Sequence, residues 1–343
     1  MEKTVEKIAL IGLTPKSVSV GIALENANLK NTKIVGMDIR RNINKQVKKL
    51  KLISEVTDSY AKAVMDSNLV IIDVPVSSMR DTLQGISNGL PDNAVIVDFC
   101  SSKSLAINLA QEILPNKENF IGGHPLVKKS PASLEEADPS IFHNSVFCLT
   151  PDPKADPAAV KLVVGLAELI GSKTMFIDAI EHDSFMSAVE YLPILLSASF
   201  VAATSKSKSW RDMHKLTTEN YSIFSKLSDT DPRESEAILL SNSDEMVTWI
   251  DSIIAELYRF RENISGKSDE LFESLVNSWE EHAKWEANAV DIKTSETTLP
   301  GQGSYLASSF FGEYLTNRYK SSTNDAKKND SEEWKYKGRG LRS

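Results

Sequence analysis

The sequence predicts an α/β protein: a doubly wound, mostly parallel sheet followed by an all-helical half. Three observations carry this. Short runs rich in Val and Ile alternate with helical patterns up to about residue 180. Most gaps between the runs are long enough for a crossover helix. Past residue 180 the strand patterns stop and helical periodicity continues.

The strand candidates are 7–12, 33–38 "KIVGMD", 69–74 "LVIIDV", 94–99 "AVIVDF", 119–122, 145–149 "SVFCL" and 174–178 "TMFID". Such nearly continuous apolar runs suit strands buried on both faces. In "ADPAAVKLVVGLAELIGSK", Asp156 suits a helix N-cap, Pro157 the first turn and Gly171 the stop. The stretch "HDSFMSAVEYLPILLSASFVAATSK" is apolar on nearly every face and is expected as a buried central helix, kinked at Pro193. Further helices fit 211–227, 233–240, 243–264 and 268–287. From about residue 291, "KTSETTLPGQGS" reads as a linker, 304–320 as one more helix and 321–343 as a polar tail, its basic "KYKGRG" solvated.

The chain's 343 residues allow two domains with a sizeable core. A net charge of -8 offers no basic field for nucleic acid. No apolar run is read as a membrane span, and the N-terminus lacks the layout of a signal peptide. Cys100 and Cys148 lie in or beside strand-like runs without a CxxC pair, so they are expected as free buried thiols in a reducing cytoplasm.

The loop after the first strand, "GLTPKS", has Gly12 for a tight turn, but Thr14 and Ser17 stand where a dinucleotide loop has its later glycines. Thr14 and Ser17 offer hydroxyls, Lys16 a charge, and the helix N-terminus a partial positive charge. The loop therefore reads either as a modified phosphate cradle or as a plain strand–helix turn. Asp38 ends the second strand, where an acid can bond the ribose hydroxyls of NAD. Arg40 and Arg41 follow and could instead meet the 2′-phosphate of NADP.

Two further stretches lie at carboxyl ends of strands, where open α/β sheets bind ligands: "VDFCSSK" with Ser101, Ser102 and Lys103, and "IGGHPLVKKS" with His124. Ser101 could also cap the helix that follows, and His124 could be a satisfied turn histidine. The order of Gly12, "DVPV" at 73–76, "VDFCSSK" at 97–103, "GGHPL" at 122–126 and "EHDSFMSAVEYLP" at 181–193 resembles the prephenate/arogenate dehydrogenase family of tyrosine biosynthesis. The resemblance covers roughly residues 7 to 287. It implies a Rossmann domain at 1–180 and a helical substrate and dimerisation domain at 181–290, with a linker, helix and tail at 291–343. It also implies oxidation of the ring C4–OH of prephenate or arogenate, hydride transfer to NAD or NADP, and loss of CO2. His124 then matches the proton-accepting histidine, Ser101 the serine that orients it, and Pro75 the nicotinamide pocket. The implied assembly is a homodimer through the helical domain.

Several family positions differ. Lys128 and Lys129 follow the histidine where small residues and an acid are usual. Glu190, Tyr191 and Ile194 stand in the usual serine-histidine-leucine-proline-histidine run. Lys215 replaces an arginine that holds the substrate carboxylate, losing its bidentate fork. Lys128, Lys215, Glu190 and Tyr191 remain the substrate-side candidates, although Lys128 could be a surface charge. Asp183 is expected in a helix's own first turn. His143, His214 and His282 show no metal spacing. Two other functions stay open: a non-catalytic or regulatory homologue, and a dehydrogenase of a different small acid.

Overall fold

The first strand, β1 (Glu6–Ile11), places Ile8 and Leu10 in one apolar layer and Ala9 and Ile11 in another. β4 (Leu69–Ile72) repeats the division, with Leu69 and Ile71 on one face and Val70 and Ile72 on the other. Side chains alternate with period two along a strand, so an unbroken apolar run demands cover on both faces. The computed structural model describes residues 6–287; the linker, helix and tail expected at 291–343 lie outside the described residues.

The remaining strands are β2 (Thr32–Met37), β3 (Glu55–Thr57), β5 (Val95–Asp98), β6 (Phe120–Leu126), β7 (Val146–Pro151) and β8 (Lys173–Phe176). They form one 8-stranded sheet in the order β3-β2-β1-β4-β5-β6-β7-β8. The pairs from β3 to β6 are parallel, β7 runs antiparallel to β6, and β8 runs parallel to β7. Every run expected as a strand is one. β3 was not expected, because three residues carry too little pattern to be read. β6 extends through His124 to Leu126, since β7 pairs with it from Ile121 to Leu126.

One layer is α1 (Pro15–Asn26), α2 (Arg41–Leu50) and α6 (Pro157–Ile170), packed through Val18, Val47 and Val163. The other is α3 (Tyr60–Val64), α4 (Met79–Ser87) and α5 (Lys103–Ile113), packed through Val64, Leu83 and Ala106. α6 has the expected ends: the Asp156 carboxylate accepts from Ala158 N–H at 2.9 Å, and Gly171 closes the helix at φ 88°.

Beyond β8 the chain is helical. α7 (Ala179–Met186) passes through a π turn, Ser187–Tyr191, into α8 (Leu192–Ser205). The irregularity expected from Pro193 therefore falls on the turn before it, where a wider ring relieves the missing proline N–H. The segment expected as one helix over 211–227 is broken into α9 (Trp210–Met213) and α10 (Glu219–Ser225), each followed by a single tight turn. α11 (Pro232–Ser241), α12 (Ser243–Gly266) and α13 (Glu270–Glu286) complete the described chain.

Two expectations are corrected here. The α7–α8 rod is not a buried core helix within one chain: Ile180 is 72% exposed and Val189 67%. Its 27 residues also include a window of mean hydropathy 1.6, long and apolar enough by composition to cross a membrane, although no run was expected to be. The same rod carries the ionisable side chains Glu181, His182, Asp183 and Glu190, and His182 and Asp183 are buried against the sheet domain. Among the described residues, the buried apolar cluster inside the helical half is small: Met186, Tyr191, Leu192 and Met246. Leu257, Tyr258, Phe272 and Trp279 remain exposed there.

Phe147, fully buried on β7, meets Phe99 edge-on with ring centroids 5.6 Å apart. Phe147→Ala is expected to lower stability by about 3–5 kcal/mol, read as a lower denaturation midpoint in urea.

Candidate active site

The sheet order reverses direction between β1 and β4, and ligands of open α/β sheets bind where strands end at such a point. Gly12, Asp38, Asp73, Phe99 and His124 all lie at or beyond that end of the sheet. Gly12 has φ 87°, and a Cβ there would lie 2.1 Å from the Asp73 carbonyl oxygen, so only glycine permits the turn. The loop does not use its hydroxyls as the sequence suggested. Ser17 Oγ donates to Gly12 O at 2.6 Å, and Thr14 Oγ1 accepts from Ser17 N–H while donating to the Asp73 carboxylate. Both are spent inside the loop, because Thr14 caps α1 and an acid stands opposite it. Lys16 remains half-buried at the mouth, with Nζ 3.5 Å from Asp73 Oδ1 and 3.5 Å from Phe99 O. Thr14, Pro15 and Lys16 are all partly exposed, so the mouth is narrowed and not sealed.

Asp38 is buried and fully engaged. It accepts from Leu13 N–H at 2.9 Å, and Arg40 grips it through Nε and Nη2, each at 2.9 Å. Burial pushes its carboxyl up, but Arg40 with the Arg40 and Leu13 amides outweighs this and holds it below the ordinary range. Pro75 stands exposed on the turn after β4, before the single turn Val76–Ser78. Glu234 of α11 accepts from Val76 N–H at 2.7 Å and Ser77 Oγ at 3.0 Å, seating the helical half on the rim of the cleft.

His124 sits on β6 and is 5% exposed. The two glycines before it have a packing reason. A Cβ on Gly123 would lie 2.8 Å from atoms of Phe147 and Val97. Beneath it, Lys103 is fully buried, ion-paired with Asp98 and donating to Gly123 O at 2.7 Å. The Asp98 carboxylate also accepts from Gly123 N–H, at 3.3 Å. The strand that carries His124 is thus clamped by a buried ion pair.

His124 Nδ1 lies 3.0 Å from His182 Nε2, and His182 Nδ1 lies 2.9 Å from Asp183 Oδ1. Asp183 accepts as well from the backbone N–H groups of Lys103 at 2.7 Å and Ser104 at 2.8 Å. It therefore caps α5 from another helix and does not open its own; α7 starts four residues earlier, capped by Asp178. The expected Ser101 cap is replaced in this way. Ser102 holds the N-cap position without a side-chain bond, and its buried hydroxyl has no partner among the described residues. Burial pushes the Asp183 carboxyl up, but bonds from His182 and the two amides outweigh it, so the group stays ionised below its ordinary range.

An ionised carboxylate only accepts, so His182 Nδ1–H donates to Asp183. His182 Nε2 then accepts from His124 Nδ1–H, and the free lone pair of His124 is at Nε2. Burial, with Lys16, Lys103 and His182 nearby, holds the His124 imidazole well below its ordinary pKa. The result is a neutral, oriented ring able to take a proton.

The substrate-side candidates separate. Tyr191 OH donates to Ser101 O at 2.6 Å, so its hydroxyl fixes the backbone beside Ser101. Glu190 stands one residue earlier, in the π turn. Burial pushes its carboxyl up against the pull of Lys16 and His182, and it forms no ion pair among the described residues. Lys128 is exposed in the loop after β6, without an ion pair among the described residues. Lys215 is exposed and pairs with Asp212 at 3.4 Å on its own turn; no contact among the described residues brings it to His124. Sequence reading singled out Lys103 and Asp183 without these roles, and assigned none to Asp98, His182 or Glu234. The "D....K" spacing of Asp98 and Lys103 was the available signal; Glu234 gave none. Burial pushes the Cys100 thiol up to about 12 and Cys148 to about 11, as suits inert packing groups.

Two outcomes follow from this geometry. Lys103→Met leaves Asp98 buried and unpaired, and should cost about 3–5 kcal/mol in chemical denaturation. In an NMR titration the His124 ring should stay neutral through pH 6.5. The unfolded ring takes its proton near about 6.5 and the folded one lower. Stability from this site is therefore present above that value and lost as pH falls towards the folded pKa.

The family model for the prephenate dehydrogenase nucleotide-binding domain matches residues 21–176, and that for the prephenate dehydrogenase dimerization domain matches 178–278. Prephenate dehydrogenase of Bacillus subtilis is 27% identical over 265 residues, 76% of this chain and 71% of that protein. Cyclohexadienyl dehydrogenase of Zymomonas mobilis is 24% identical over 79% of this chain and 93% of its own. The fold is also that of prephenate dehydrogenase from Aquifex aeolicus, solved with hydroxyphenyl propionate and NAD+. The TM-score there is 0.74 at 23% identity, covering 83% of this chain and 99% of that one. Synechocystis arogenate dehydrogenase gives 0.66 at 19% identity, covering 81% and 99%. With both halves matched in order, the chain belongs to the prephenate dehydrogenase family.

Proposed function

We propose that this chain catalyses the NAD(P)-dependent oxidative decarboxylation of prephenate or arogenate in tyrosine biosynthesis. The observation that carries the reading is the Asp183–His182–His124 relay, which ends in an imidazole lone pair at the carboxyl end of the sheet. A dinucleotide fits the residues present. Ile39 and Arg40 offer contacts at the end of β2, and the obligatory glycine turn at Gly12 opens the mouth beneath α1. There Lys16 and the partial positive charge of the α1 N-terminus replace the missing glycines as phosphate contacts. When bound, the dinucleotide supplies the hydride acceptor.

The chain's own residues do the rest. His124 Nε2 takes the proton of the ring C4 hydroxyl as the C4 hydrogen leaves as hydride. His182 and Asp183 hold that ring in the accepting tautomer and stabilise the charge it gains. Tyr191 fixes the backbone at Ser101, from which the Ser101 hydroxyl orients the substrate oxygen. CO2 departs as the ring aromatises, which draws the reaction forward. Lys16 supplies positive charge in the cleft for an anionic substrate, and Lys128 and Lys215 are further candidates for its carboxylates. A substrate other than prephenate is favoured by one observation: Glu190, an unpaired carboxylate, stands where the family has a neutral side chain.

The division near residue 180 is supported by the end of the strands at Phe176, and a homodimer through 181–290 by the apolar residues left exposed on the helical half. The free, buried thiols suit a reducing cytoplasm.

The test is a spectrophotometric reduction assay of NAD and NADP with prephenate and with arogenate. His124→Asn is expected to lower kcat by about 10²- to 10⁴-fold with nucleotide affinity unchanged. Equal rates in wild type and variant would exclude His124 as the base.

A further inference from the structure

The geometry points to NADP, not NAD, as the dinucleotide this chain selects, with Arg40 as the residue that makes the choice. This rests on the dinucleotide reading above. An acid at the end of the second strand serves NAD by accepting from the ribose 2′-hydroxyl. A carboxylate has about four lone-pair sites, and those of Asp38 are already filled. Oδ1 accepts from Arg40 N–H at 2.8 Å and Arg40 Nε at 2.9 Å; Oδ2 accepts from Leu13 N–H and Arg40 Nη2, each at 2.9 Å. The backbone that carries the carboxylate is fixed as well. The Asp38 backbone N–H donates to Asn44 Oδ1 at 2.8 Å, and its carbonyl accepts from Asn44 Nδ2 at 2.8 Å. A ribose hydroxyl approaching Asp38 must therefore displace a guanidinium held by two charge-assisted bonds.

A phosphate at the same place meets the opposite conditions. Arg40 spends its Nε–Nη2 edge on Asp38, which leaves the Nη1 donors, on a side chain 57% exposed, for another acceptor. Arg41 follows, exposed, at the first position of α2. The first turn of α2 holds no acid, and its N-cap, Arg40, supplies no side-chain acceptor. Asp58 accepts from Asn44 Nδ2 at 2.8 Å. With Asp38 paired to Arg40, the exposed Arg41 and the helix terminus are left to meet a dianionic 2′-phosphate. Ile39, 71% exposed between these groups, offers an apolar surface for the adenine.

The experiment measures binding without turnover. NADPH and NADH are titrated into the full chain by nicotinamide fluorescence, with 2′,5′-ADP and 5′-AMP as competitors. NADPH and 2′,5′-ADP are expected to bind at least about tenfold tighter than NADH and 5′-AMP. Arg40→Ala should abolish that ratio, because it removes the phosphate contact and frees Asp38 for the ribose; Arg41→Ala should reduce it. NADH binding as tightly as NADPH in the wild type, or a ratio unchanged in Arg40→Ala, overturns this inference and leaves the dinucleotide reading standing. Failure of all four nucleotides to bind overturns both.

Discussion

The site depends on one carboxylate serving two structures. Asp183 belongs to the helical half, yet it accepts the first free N–H groups of α5 in the sheet domain and the Nδ1–H of His182. A buried acid is costly without donors. Here three donors from two domains satisfy it, and all three are fixed by its presence. The start of α5, the orientation of His182 and the tautomer of His124 follow from that one placement. Motion of the helical half against the sheet would break several of these bonds together.

The second constraint lies under the strand that bears His124. Lys103 and Asp98 form an ion pair without solvent, and Gly123 completes it through both its carbonyl and its N–H. Buried pairs of this kind add little net stability, but they fix geometry because removing either partner strands the other. The cleft is thus held from below by the pair and from the side by Asp183. The ring it presents is neutral because burial and nearby cations disfavour its charged form.

Much of the architecture was legible because two-sided burial writes itself as unbroken apolar runs. β3 was not, since its three residues carry no periodicity. The antiparallel turn of β7 was equally hidden, because an apolar run has no direction. His124 could be placed through its position after a strand and its family motif. The groups behind it could not. "HD" at 182–183 has the look of a helix start, and only tertiary contact shows Asp183 capping a helix some 80 residues away. Thr14 and Ser17 misled for a related reason: a hydroxyl in a loop reads as a free donor, whereas local backbone and Asp73 had already claimed both. The exposed flank of the α7–α8 rod reads as core because composition does not tell a covered apolar face from an open one.

The sheet also limits how copies of this protein can meet. Its outermost strands are both short: β3 has 3 residues and β8 has 4. Brief margins of this kind give an incoming backbone few unpaired groups to zip onto. Lateral growth of the sheet into a shared ribbon is therefore disfavoured.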